Sequence, residues 1–238
     1  QEGRILKTRN CEATLLTDLT PVLDKVPTLF SSTASGIVAD STGNIFVSTL
    51  KGAIFKINAK GEATLFAGSI GTVGHLDGQG TAAQFSVLGN MTIDASGSLY
   101  VVDGLFQDKT KIGPTIRKIT PAGSVSTVAG RADMPPGLVD GPVSSAQLAV
   151  DTGAALSDSQ AHLAADAKGN VYVTDPRHHV VRKIGVDGQV STLVGKPWGQ
   201  GFAAGDLPGL IDEPWGLAVR DTTLFISTSN AVAAVKLP

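Results

Sequence analysis

The chain has 238 residues, 42% hydrophobic and 17% charged, and its 19 Lys and Arg against 21 Asp and Glu leave a net charge of −2. It is too apolar to be disordered, lacks the basic excess that nucleic acid or an anionic membrane surface demands, and has no apolar run of the ~18 residues a spanning helix needs. A single cysteine, Cys11, excludes an internal disulfide framework and any paired-cysteine metal or redox site, leaving a thiol that is free or pairs between chains.

The first extended segment, residues 12–17, reads EATLLT. After a polar stretch, residues 36–68 contain four short β-branched or alternating runs, IVAD, NIFVS, AIFKI and ATLFA, separated by turn residues around Gly43 and Gly61. The same course recurs in residues 90–130, with an excursion after Gly104, and in residues 161–195. Residues 216–237 follow it once more and stop after three runs. Asp40, Asp94, Asp166 and Arg220 mark equivalent places in the four copies. Only brief stretches, 81–85 and 144–148, could form a helical turn. Four antiparallel strands per unit of about 50 residues, repeated, predict an all-β fold of propeller blades in a single domain. The ATL of residues 13–15 matches that of residues 63–65, so the N-terminal strand is expected to supply the fourth strand of the last blade and close a four-blade ring.

The repeats resemble the NHL family: GLAV or AAD leads into GNVYVTD, then VVRKI, a turn and STLVG. The linkers DGQGTAAQF and AAGDLPGLIDEPWGLAV share the likeness, which covers the chain from Gly36 onward. Familiar members of that family have six blades, so four copies depart from its pattern.

Propeller geometry puts the turns between strands one and two, and three and four, on one face, and here these are short and glycine-bearing. The long connections fall on the opposite face, where binding residues usually sit. The candidates on that face are His75, Asp103, His162, Asp175, His178, His179, Trp198 and Trp215. Adjacent histidines on an extended segment point to opposite sides, so His178 and His179 suit structural roles better than one metal. His162 begins an inner strand, where its counterparts are read as Ile37, Met91 and Leu217. Asp103 and Asp175 could reach a divalent cation on the axis, or pair with Arg117 and Arg182 inside their own blades. Asp77, Asp140 and Asp206 in the linkers suit turn and cap roles.

No catalytic motif emerges, so the leading expectation is a non-catalytic binding propeller that recognises a protein or small molecule at its long-loop face and channel mouth. The alternative is a metal- or acid/base-dependent hydrolase or lyase, which the resemblance brings in through related propellers, with His162, Asp175 and His75 as reactive groups beside a Trp215 wall. Self-assembly through Cys11 or an open sheet edge is a third. The start at Gln1 reads as a fragment or as a mature secreted or periplasmic chain, and Asn90 heads a glycosylation sequon at a strand start.

Overall fold

The computed structural model describes residues 4–9, 12–18, 34–104, 113–150 and 160–237. Its strands run β1 (Arg4–Arg9), β2 (Glu12–Asp18), β3 (Ala34–Ala39), β4 (Ile45–Thr49), β5 (Ala53–Ile57), β6 (Ala63–Gly68), β7 (Gly78–Gln79), β8 (Leu88–Ile93), β9 (Leu99–Asp103) and β10 (Thr115–Ile119). They continue with β11 (Ser124–Gly130), β12 (Gly141–Pro142), β13 (Leu163–Ala165), β14 (Val171–Asp175), β15 (Val180–Ile184), β16 (Gln189–Val194), β17 (Leu217–Arg220), β18 (Thr223–Ser227) and β19 (Val232–Lys236). Beside the two-stranded β1-β2 sheet, four antiparallel sheets carry the repeats: β3-β4-β5-β6, β8 to β11, β13 to β16, and β17-β18-β19. They are the blades of a four-blade β-propeller arrangement. The linkers ahead of blades two and three add a short fifth strand each, β7 on β11 and β12 on β16.

The expected closure by residues 12–17 differs from the structure. The β2 strand pairs with β1 as a hairpin, while among the described residues β19 pairs only with β18. In sequence β1 and β2 are near neighbours, with Asn10 and Cys11 between them outside the described residues, so this pairing is local. Reaching β19 would close a loop spanning most of the chain, at greater entropic cost.

The core lies in the seams between blades. Blade one meets blade two through Phe46, Ile54, Leu99 and Val101; blade two meets blade three through Val102, Ile116, Val173 and Ile184; blade three meets blade four through Tyr172, Val181, Leu224 and Ile226. Buried linker side chains wedge each seam: Ala83 and Phe85 in the first, Ala146, Leu148 and Val150 in the second, and Ile211 in the third. Full burial of the larger of these side chains is worth about 1.5–3 kcal/mol each. On the far face of blade four, Phe225 and Val232 are exposed.

One turn device repeats three times. The Asp40, Asp94 and Asp166 carboxylates each accept backbone N–H bonds from residues two and four further on. Burial pulls these carboxyls upward, but the hydrogen bonds outweigh it and hold all three below the usual carboxylate range, Asp40 at about 2. A depressed folded-state pKa adds stability that is complete well above the unfolded value of 3.8 and fades as pH falls through the folded one. Thermal melts should therefore hold their midpoint down to about pH 5 and lose it progressively toward pH 2, and Asp166→Asn should flatten part of that loss.

Candidate functional site

The long-loop face is where the inner strands β3, β8, β13 and β17 begin. In blade two, β9 delivers Asp103 to a buried cluster. Its Oδ1 accepts from the Ser86 N–H at 2.8 Å and its Oδ2 from Arg117 at 2.7 Å, with both side chains fully buried. Arg117 also donates to the Leu76 and Gln84 carbonyls and to Asp77. The Asp77 carboxylate in turn takes the N–H and hydroxyl of Thr127 on β11. Blade three repeats the clamp: Arg182 reaches the Val139 and Gln147 carbonyls and Asp140, and Asp140 takes the N–H and hydroxyl of Thr192. Asp77 and Asp140 are thus more than turn formers, since they pin each linker to its own blade. Of the two readings of Asp103, the pair with Arg117 is the one formed. His75 lies against this cluster with Nδ1 3.6 Å from Asp103 Oδ2, and among the described residues neither ring nitrogen finds a hydrogen bond.

Asp175 takes a different partner. Both its oxygens stand 2.8 Å from Nδ1 of His178, across the short helical turn Pro176–His178. Asp175 is 1% exposed, so the carboxylate fixes the imidazole by accepting the Nδ1 proton. The rings of Trp198 and His178 meet edge to face with centroids 4.5 Å apart, and the Trp198 backbone N–H donates to the His178 carbonyl at 3.2 Å. Trp198 is 71% exposed. Beside it, His179 Nδ1 lies 2.9 Å from Asp212 Oδ1 and 3.2 Å from the Glu213 N–H. His179, Trp198 and Glu213 all hold positive φ, 57°, 64° and 39°, strain of a kind that concentrates at functional sites.

The strip continues to the axis through Thr174, whose hydroxyl accepts from His162 N–H at 2.8 Å and donates to the Trp215 carbonyl at 3.1 Å. Asn90 donates its side-chain N–H to His162 Nδ1 at 2.9 Å, its carbonyl oxygen being taken by the Met91 N–H. Burial holds the His162 imidazole below its ordinary pKa, consistent with a neutral ring accepting at Nδ1. His162 stands level with Gly36, Asn90 and Gly216, because Ile37, Met91 and Leu163 share the next position along. The counterparts read from sequence are therefore one residue too far, which in a strand changes the face.

Blade three thus brings together His162, Asp175, His178, His179, Trp198 and Trp215, while His75 and Asp103 belong to the blade-two clamp. Among the described residues, no three His, Cys, Asp or Glu side chains converge as a metal-ligand set. Asn90, Thr174 and Asp212 are participants that sequence reasoning missed; only the level of Asn90 with His162 in aligned repeats signalled one of them. A cavity of about 600 Å³ lies on the opposite face between blades two and three. Lys118, Tyr100, Asp94 and Asp166 line it, and none of the eight predicted residues does. Its carboxylates are already occupied by their own turns and by the Tyr100 and Tyr172 hydroxyls.

No protein-family profile and no curated protein matches the sequence. Solved structures do match in fold, and these neighbours are propeller proteins. A structural-genomics protein of unknown function from Bacteroides thetaiotaomicron aligns with TM-score 0.65 at 18% identity, over 93% of this chain and 50% of the other. An auxiliary nutrient binding protein from the same organism aligns with TM-score 0.58 at 16% identity, over 90% and 47%. Another so described, from Bacteroides ovatus, gives TM-score 0.55 at 18% identity, over 88% and 50%. The chain spans about half the length of the structures it matches.

Proposed function

We infer that this protein is a binding propeller that captures a small polar ligand bearing a ring, on the blade-three strip of its long-loop face. The observation that carries this reading is the exposed Trp198 ring set against His178, whose Nδ1 is committed to Asp175. No described residue bonds its Nε2, so an aromatic platform and an oriented hydrogen-bonding nitrogen lie side by side, the combination that small-molecule sites use. The names of two structural neighbours, auxiliary nutrient binding proteins, support it by analogy of fold alone. An NHL-like repeat and a secreted or periplasmic setting belong to the same proposal.

The test is fluorescence titration with neutral sugars, amino acids and nucleosides. Trp198→Ala should weaken any ligand found at least tenfold and move the melting temperature by no more than about 2 °C, the side chain being mostly exposed. Binding that ignores this change, or that Asp94→Ala abolishes, overturns the reading.

The Asp175–His178 pair also favours a second reading, an acid/base hydrolase or lyase with His178 Nε2 as the base and Asp175 holding the tautomer. Turnover of the captured ligand, lost in His178→Ala and reduced in Asp175→Asn, distinguishes it from simple binding.

A further inference from the structure

In the outer strands β6, β11 and β16 the register shift leaves one residue without a partner across the sheet: Phe66, Val128 and Leu193. These three pack on the clusters of the first, second and third seams respectively. In the first seam Phe66 meets Phe46 edge to face, with ring centroids 5.2 Å apart. Tyr100 is the counterpart of Phe46 in the second seam, since Phe46 pairs with Lys56 and Tyr100 with Lys118. There the bulge residue is a valine, smaller than Phe66 by a whole ring. Val128 and Tyr100 both line the cavity of about 600 Å³ between blades two and three. That volume lies within the range of roughly 300–1,000 Å³ found for small-molecule sites.

The apolar walls of the cavity are Val128, Val143, Val171, Ile184 and Val186. Of these Val186 is 68% exposed, apolar surface that the protein leaves uncovered. The Lys118 ammonium lies over the Tyr100 ring, 5.2 Å from its centroid. Among the described residues no carboxylate pairs with it. The two carboxylates of the cavity are engaged elsewhere. Asp94 accepts the Ser96 and Ser98 N–H groups and the Ser96 and Tyr100 hydroxyls. Asp166 accepts the Lys168 and Asn170 N–H groups, the Asn170 side chain and the Tyr172 hydroxyl. A cation entering here meets acceptors already bonded, whereas an anion meets an ammonium with N–H groups to give.

We propose that this cavity is a second binding site, for a small amphipathic carboxylate. Its aliphatic body lies against the valines and Ile184, and its carboxylate accepts from Lys118. The blade-three strip shares no residue with the cavity, so the two sites stand or fall separately.

Isothermal titration calorimetry of the whole chain with octanoate, octylamine and octanol tests the proposal. Octanoate should bind saturably, and the amine and the alcohol at least tenfold more weakly. Each methylene removed from octanoate should cost roughly fourfold in affinity. Lys118→Gln should weaken octanoate about tenfold, the usual worth of one charge-assisted hydrogen bond, and bring it level with octanol. Val128→Phe, checked for folding by circular dichroism, supplies the ring that Phe66 supplies in the first seam and should abolish binding. Should that variant not fold, Val186→Asp at its exposed position should weaken octanoate by setting a like charge on the wall. Absence of binding at millimolar octanoate overturns the proposal. So does octylamine or octanol binding as tightly as octanoate, since burial of the chain alone would then account for it. Octanoate binding that survives Lys118→Gln or a folded Val128→Phe at full strength overturns it as well.

Discussion

Arg117→Met is expected to destabilise the fold by about 3–5 kcal/mol, read as a lowered midpoint in urea unfolding. The methionine fills part of the volume and keeps the contact with Phe85, over whose ring the guanidinium now lies at 4.9 Å. It leaves Asp103 fully buried with the Ser86 N–H as its remaining donor, and it unties the Leu76 and Gln84 carbonyls from β10. Removing one member of a buried ion pair costs more than replacing both, because the survivor keeps its desolvation penalty without its partner. Asp103→Asn combined with Arg117→Met should accordingly recover part of the loss. If the double variant proves as unstable as the sum of the two single ones, the pair is not coupled in this way.

The second large effect falls on Gly130. Its φ is +79°, and a Cβ built there would lie 2.2 Å from the Pro114 carbonyl oxygen. Backbone, not a mobile side chain, is what it meets, so β10 and β11 must part for alanine to fit. Gly43 has a similar φ of +86° with nothing within 4 Å of its would-be Cβ. Gly43→Ala isolates the backbone cost, about 1–2 kcal/mol. Gly130→Ala adds the clash and should lose about 1–3 kcal/mol more by the same urea measurement. Equal losses at the two sites would show that the outer strand can shift freely.

The repeat was legible because blade-forming sequences state their turns and strands locally: each Asp40-type turn and each alternating run is encoded within a few residues. Pairings between distant segments were less visible. Asp77 and Asp140 look like ordinary Asp-Gly turn formers, and their tie to Arg117 and Arg182 appears only when blades are compared. Asp, Arg and Thr occur together in blades two and three, and blade four has neither the Asp nor the Arg. That joint pattern was present in the sequence and would have identified the clamp. The strip on blade three was less accessible. Trp198 reaches His178 because its backbone takes a positive φ that tryptophan rarely adopts, which no propensity anticipates. The N-terminal strand misled for a simpler reason. Its ATL matches an outer strand, but RILKTR beside it is a nearer partner for the same hydrogen bonds.

The clamps have one more consequence, for how such proteins change over evolutionary time. Asp77 meets Thr127 across 50 residues and Asp140 meets Thr192 across 52, so each fastening begins and ends inside one repeat. A genetic duplication or deletion cut between Gly130 and Asp140 would carry a whole fastening with it and sever none. Blade number can then drift by whole units while each inherited unit stays intact, giving propellers of different sizes a common part.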